Sequence, residues 1–197
     1  MTLTLIIILI ILFAYLLGSI SNSILICKIF NFTDPRSYGS KNPGATNIFR
    51  IAGYKLAIII ALLDIIKGAI PIWIGSSLEI DSIYLKIIGI SVCIGHIYPV
   101  FFKFCGGKGV ATAFGVISTI NINFIPIMVG TWILIILLFK YVSLSSIITA
   151  IIMPCYTFYS HYHYFFFITI ISLLILIRHI DNIKRLWNHQ EKHIWDS

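Results

Sequence analysis

Residues 3–30 read LTLIIILIILFAYLLGSISNSILICKIF, and their only charge is Lys28. A bilayer core of ~30 Å needs about 20 apolar helical residues, so this stretch is long enough to cross. It has no basic segment before it and no A-x-A-like cleavage site, and so reads as a retained first span rather than a signal peptide. Further apolar runs lie at 51–75, 83–102, 110–120, 124–139, 142–159 and 164–177. The expected architecture is an all-α polytopic membrane protein of seven transmembrane helices, the fourth of them short. Five crossings with two re-entrant pieces is the alternative.

Composition points the same way. The 197-residue chain is 59% apolar and 11% charged, whereas soluble domains run at about 45–50% and about 25%. Seven acidic residues cannot clothe a globule of this size in a hydrated surface. Soluble globular, disordered and fibrous classes are excluded. No polar stretch leaves room for a separate soluble domain, and residues 1–197 are expected to form one domain. Cys27, Cys93, Cys105 and Cys155 stand singly without metal-ligand spacing. They read as small buried hydrophobes, with no disulfide needed.

The cations orient the chain. Lys28, Arg36, Lys41, Arg50 and Lys55 lie in or beside the first connection, Lys103 and Lys108 flank the third, and Lys140 marks the fifth. Arg178, Lys184, Arg185 and Lys192 follow the last run, so twelve of the fourteen Lys and Arg fall on one side. The opposite connections hold Glu79 and Asp81 but no Lys or Arg. By the positive-inside rule the N-terminus is periplasmic and the C-terminus cytosolic. The formal charge of +7 then reflects cytosolic loops near anionic lipid, and no nucleic-acid partner is expected.

Polar chemistry is confined to short blocks, nearly all on the cytosolic side. The block at 34–50 carries Ser40, Asn42, Thr46 and Asn47 as neutral donors, with Arg36 and Arg50 as guanidinium forks suited to phosphate. An ordinary loop with a turn and a helix cap would use the same residue types. Gly106, Gly107 and Gly109 precede an apolar run, so successive backbone N–H groups at a helix start, with Lys108 among them, make an anion cradle. A plain glycine turn is the competing reading. It is not a nucleotide-hydrolysing loop, because Phe102 replaces the first glycine and Gly109 the metal-binding hydroxyl.

His96, near the end of an apolar run, is either a hydrogen-bonded core histidine or a functional group. Asp64 and Lys67 are three apart on one helical face, and suit a structural ion pair or an ion path, with Gly68 beside them for close packing. Ser143, Ser145 and Ser146 open a span as N-caps. Residues 178–187 read as an interfacial amphipathic segment, anchored by Trp187 and Trp195, while His161 and His163 show no partner.

Taken together, these blocks resemble the bacterial membrane-integral acyl-phosphate:glycerol-3-phosphate 1-acyltransferases. The likeness runs from Ala14 to the tail and rests on GSKNPGATN at 39–47, DIIKG at 64–68, GHIYP at 95–99, GGKGVAT at 106–112, VSLSS at 142–146, and Arg178-His179 with Asn182, Arg185 and Leu186. The Asp34-Pro35-Arg36 block and the Trp-containing tail look gammaproteobacterial. One departure is Lys41, where the family usually has glycine; a side chain there disfavours positive φ.

The resemblance implies transfer of a fatty acyl group from acyl phosphate to the 1-hydroxyl of glycerol 3-phosphate. The products are lysophosphatidic acid and inorganic phosphate, with no acyl-enzyme, metal or cofactor, and neither acyl-CoA nor acyl carrier protein is the donor. A soluble enzyme that makes acyl phosphate is an implied partner, alongside membrane lipids. No histidine here is followed by aspartate after four residues, the motif of other glycerolipid acyltransferases. Ser40, Arg50, Lys108, His179 and Asn182 are then expected to bind glycerol 3-phosphate. Gly106, Gly107, Lys108, Gly109, Val110, Ala111 and Thr112 would hold the acyl-phosphate head. Lys108 and Asn182 are expected to be catalytic, and so is His96, as general base or as an orienting group while a substrate phosphate takes the proton. Asn42, Thr46, Asn47, Asp64, Lys67, Ser143 and Ser145 are supporting polar residues. The rival function is a small transporter using the Asp64–Lys67 pair and His96.

Overall fold

A computed structural model describes residues 3–194, which leaves the Trp195 anchor outside the described residues. Every regular element among them is helical: α1 (Leu3–Gly18), α2 (Asn22–Ile29), α3 (Ala45–Ser77), α4 (Ser82–Ile97), α5 (Val110–Ile120), α6 (Ile125–Phe139), α7 (Val142–Ser160), α8 (Phe165–Arg178) and α9 (Ile180–Trp187). Four stretches are long and apolar enough to cross a membrane: Ala45–Ser77, Ser82–Phe102, Ile122–Phe139 and Val142–Ser160. Two bent pairs raise that number to six if each counts as one span. In these, α1 and α2 meet at 45°, and Tyr162–Arg178 meets α9 at 57°. At 1.5 Å per residue α5 reaches only about 16 Å, roughly half of a bilayer core.

The first run is therefore broken where the sequence suggested one continuous helix. Gly18-Ser19-Ile20-Ser21 interrupts it, the Ser19 N–H and hydroxyl both bonding the Tyr15 carbonyl at 2.9 Å as the last turn of α1 closes. Such a break is tolerated at membrane depth only if other groups satisfy the freed carbonyls. The second run is longer than its apolar core. It starts at Ala45 and kinks at Gly53, whose φ of +81° glycine adopts without a Cβ clash.

The chain divides into two compact units, residues 1–120 and 121–197. In the first, helices approach through glycines. A Cβ on Gly18 would strike the Val92 carbonyl, and one on Gly95 the Tyr15 carbonyl, locking α1 to α4. Likewise Gly68 abuts the Thr112 carbonyl and Gly115 the Ile65 carbonyl, so short α5 lies backbone-to-backbone along α3. Lipid supplies no hydrophobic drive between helices, so close van der Waals contact of this kind carries their association. Where α3 begins, Cys27 of α2 packs with Ile48 and Ile60.

In the second unit α6 and α7, and α7 and α8, are neighbours. Phe124 is fully buried at one end, edge-on to Tyr156, His161 and Tyr164. His161 thus has aromatic partners, and His163 stands edge-on to Tyr164. Helix α9 is amphipathic as expected, with Ile180, Ile183 and Trp187 exposed on it. All four cysteines are free, but only Cys27 and Cys93 are buried. Cys105 and Cys155 are exposed, the latter because it falls on an outward face of α7.

Gly115→Val forces a branched side chain into the Ile65 carbonyl and is expected to destabilise by about 1–3 kcal/mol or more. Gly130→Ala, where nothing lies within 4 Å of an added Cβ, is the matched control. Thermal unfolding of the two variants in detergent measures the contrast.

Candidate active site

In the first unit, three groups of predicted residues acquire geometry. The loop ahead of α3 is organised by Asn47, which is 1% exposed. Its Nδ2 donates to the carbonyls of Pro35 at 2.8 Å and Tyr38 at 2.9 Å, and its Oδ1 accepts from the Ser40 N–H at 3.1 Å. One amide thereby fixes both ends of the turn that carries Ser40. Asn42 lies in the same loop, and Thr46 in the first turn of α3, both half-buried. Lys41 does adopt the left-handed region, with φ +56°, so the fold imposes here the conformation that a side chain disfavours.

The two arginines of the block differ. Arg36 is spent on its neighbour: Nε and Nη2 bond both carboxylate oxygens of Asp34 at 2.7–3.2 Å. Those bonds hold the Asp34 carboxyl below the usual carboxylate range. Arg36 is therefore a loop brace and not a phosphate fork. Arg50 has a buried Nε with no hydrogen-bond partner.

The glycine loop is built against His96. A Cβ on Gly106 would overlap the His96 and Ile97 carbonyls and the Pro99 ring, and one on Gly107 would overlap the His96 imidazole at Nε2. Only glycine lets this backbone lie on the end of α4. The Gly107 N–H donates to the His96 carbonyl at 3.1 Å, so that member of the expected N–H series serves the protein itself. Gly109 follows at φ +82° and α5 starts at Val110, with the Ala113 N–H returning to the Gly109 carbonyl at 2.8 Å. The expected helix start after GGKG is therefore present. The first-turn N–H groups of Val110, Ala111 and Thr112 have no carbonyl within the helix to meet them. Thr112 is fully buried, and its hydroxyl has no partner. His96 itself is 8% exposed and lies between this loop and Asp64, with Nδ1 3.9 Å from Asp64 Oδ1.

Asp64 and Lys67 form the expected ion pair at 2.9 Å. Asp64 also accepts from Asn22 Nδ2 at 2.9 Å, and Lys67 donates to the Ile20 carbonyl at 2.8 Å. The pair is closed by these contacts at the α1–α2 break.

In the second unit the predicted residues gather on one that the sequence reading passed over. Glu191 Oε1 accepts from Ser143 Oγ at 2.7 Å and Asn182 Nδ2 at 2.6 Å, while Oε2 accepts from Arg185 Nε at 2.7 Å. Burial opposes the charge, but these three donors outweigh it and hold the carboxyl below its ordinary range. The serines are not N-caps: Tyr141 holds that position. Ser145 and Ser146 instead bond back to the carbonyls four residues earlier, at 2.8 and 3.0 Å, and Ser143 turns to Glu191. His179 Nδ1 lies 2.8 Å from the Ile175 carbonyl, which fixes its ring. The tail returns to the α6–α7 corner, where His193 stacks on Tyr141 at 4.2 Å and the Ile194 N–H donates to the Lys140 carbonyl. Glu191 is one of three acids after the last apolar run, with Asp181 and Asp196, and nothing local in the sequence sets it apart. Among the described residues no group of three or more His, Cys, Asp or Glu gathers as a metal site.

A family model described as glycerol-3-phosphate acyltransferase matches residues 8–189. The chain belongs to that family. It is 61% identical to the glycerol-3-phosphate acyltransferase of Blochmanniella floridana over 188 residues, covering 95% of this chain and 96% of that one. The corresponding protein of Yersinia pestis (strain Pestoides F) is 50% identical over 187 residues, covering 95% and 87%. A crystal structure of PlsY (YgiH), an integral membrane glycerol 3-phosphate acyltransferase, in its glycerol 3-phosphate form is 40% identical with TM-score 0.90, covering 95% of this chain and 94% of its own. The lysophosphatidic acid form is 39% identical with TM-score 0.87, with the same coverage. The gammaproteobacterial likeness expected from the loop and tail is met in the Yersinia relative, and the chain is an integral membrane acyltransferase of glycerol 3-phosphate.

Because its folded carboxyl is depressed, Glu191 contributes stability that is fully present above the ordinary Glu range, about 4.3, and is lost as pH falls through the folded value. Glu191→Gln is expected to lower the melting temperature by a constant amount above about pH 5, the gap closing in more acid buffer. Melting curves of both proteins across pH 3.5–7 in detergent measure it. Lys41→Gly is expected to raise stability by about 0.5–1 kcal/mol, since relief of left-handed strain exceeds the added chain entropy. The same melting assay at neutral pH reads that gain.

Proposed function

We propose that the chain transfers a fatty acyl group from acyl phosphate to the 1-hydroxyl of glycerol 3-phosphate. Lysophosphatidic acid and inorganic phosphate are the products. The observation that carries the reading is the Arg50 guanidinium, whose buried Nε has no hydrogen-bond partner among the described residues. A buried charged donor without an acceptor is costly, and a substrate phosphate supplies the acceptor. Ser40, held by Asn47, and Lys108 join Arg50 in binding glycerol 3-phosphate, as do His179 and Asn182. The relative crystallised in a glycerol 3-phosphate form supports that substrate assignment. Val110, Ala111 and Thr112 offer the first turn of α5 to the acyl-phosphate head, with Gly106, Gly107 and Gly109 shaping its approach.

The glycerol 1-hydroxyl oxygen attacks the acyl carbonyl, the bond from that carbon to the phosphate oxygen breaks, and inorganic phosphate departs with the electron pair. Phosphate leaves readily, so no acyl-enzyme is needed. Positioning and stabilisation of the oxyanion supply the rate, Lys108 and Asn182 acting on the reacting groups. His96 takes the orienting role: its ring sits against Gly107, and a substrate phosphate receives the hydroxyl proton. The chain works as one domain built of its two units, with periplasmic N-terminus and cytosolic C-terminus in the bacterial inner membrane, α5 being a seventh, short crossing where the bilayer thins or flanking loop residues complete it. Its polar blocks face the cytosol, where a soluble enzyme delivers acyl phosphate. The asymmetry of twelve cations out of fourteen supports that orientation.

Purified protein given labelled glycerol 3-phosphate and a synthetic acyl phosphate is expected to form labelled lysophosphatidic acid, and to form none from acyl-CoA. Absence of product from acyl phosphate would overturn the donor assignment. Arg50→Lys keeps the charge but loses the fork, and is expected to raise KM for glycerol 3-phosphate about tenfold or more. For His96→Ala, kcat within about tenfold of wild type is expected, since general-base loss costs ~10²–10⁴-fold.

A further inference from the structure

The intramembrane pair Asp64–Lys67 has no place in the chemistry above, yet only the His96 ring stands between it and the glycine loop. Lys67 Nζ bonds the Ile20 carbonyl at the α1–α2 break, 2.8 Å away, and Asp64 2.9 Å away. Asn22, the first residue of α2, donates to the same Asp64 oxygen at 2.9 Å. That oxygen faces His96 Nδ1 at 3.9 Å, and on the other edge of the imidazole Nε2 meets the Gly107 backbone so closely that no Cβ fits between. The His96 carbonyl accepts the Gly107 N–H. Asp64 is 3% exposed and His96 8%, so water does not compete for these contacts.

We propose that Asp64 is a positioning residue for the loop at 106–109, acting through the His96 ring. The carboxylate favours the imidazole form with its proton on Nδ1, and attracts that edge. The ring is thereby fixed in the orientation that sets its opposite edge beside Gly107, and the backbone between α4 and α5 is held before substrate arrives. Lys67 and Asn22 set the carboxylate in turn, so the broken first span anchors the loop. This rests on the proposed role of the loop in binding a substrate phosphate.

The test uses Asp64→Asn together with Lys67→Met, which removes both charges and leaves neither buried alone. Two readouts are taken. Hydrogen–deuterium exchange of the loop at 105–109, in detergent without substrate, is expected to quicken about tenfold, with α7 unchanged. KM for acyl phosphate is expected to rise about tenfold while kcat stays within about threefold. In a His96→Ala background the same double substitution is expected to change neither quantity further, since the intermediary is gone. Equal quickening of exchange with and without His96, or unchanged loop exchange alongside a lower melting temperature, would overturn the proposal and leave a helix-packing role. Asp64→Glu, which keeps the charge, is the second variant and is expected to retain most of the loop protection. Loss of that protection in Asp64→Glu would count against charge as the cause. Exchange does not depend on the acyl donor, so a failed donor assignment leaves the positioning result standing on its own.

Discussion

A charge or a freed backbone carbonyl inside a bilayer must find its partner within the protein, because an unpaired ion there costs several kcal/mol and no water is at hand. The first unit meets three such demands with one set of atoms. The break between α1 and α2 releases the Ile20 carbonyl, Lys67 needs acceptors, and Asp64 needs donors. Lys67 bonds both acceptors, and Asn22 from beyond the break completes the carboxylate. The broken span and the middle of α3 are thus fixed relative to one another by polar contacts whose loss would strand a charge. Loops between the helices inherit that order only through such fixed points.

Packing follows a second rule of the membrane. Apolar faces gain nothing by leaving lipid for one another, so helices that touch must touch closely. The reciprocal glycines do this twice, Gly18 with Gly95 between α1 and α4, and Gly68 with Gly115 between α3 and α5. This is why α5 holds its place with only eleven residues. The helix start that faces the glycine loop is fixed by α3, not by spanning the bilayer.

The sequence made some of this legible and not the rest, for physical reasons. Apolar runs and cation placement revealed the membrane class, since few residue choices satisfy lipid. The Asp64–Lys67 pair was readable because i,i+3 spacing is local, as was the helix start after Gly109. The break at Ser19–Ser21 was not, because serines are equally at home in continuous membrane helices that bond back to their own carbonyls. Ser145 and Ser146 do so, and were misread as caps for the same reason. Arg36 and Arg50 look alike in sequence; only the loop fold shows Asp34 claiming one of them. Glu191 lies nine residues beyond Asn182 and 48 beyond Ser143, a convergence that no local pattern predicts.

The scarcity of acid gives those pairings their meaning. With seven carboxylates against fourteen Lys and Arg, a carboxylate that pairs decides which cation is committed to structure. Asp34 takes Arg36, Asp64 takes Lys67 and Glu191 takes Arg185, while Asp81 caps α4 through the Ile83 N–H. Arg50 is left with a buried Nε that has no partner among the described residues. An enzyme whose substrate and product both carry phosphate must hold cations back in this way, since an acid placed beside them would compete with the ligand. Acids are spent on bracing loops and burying one intramembrane pair.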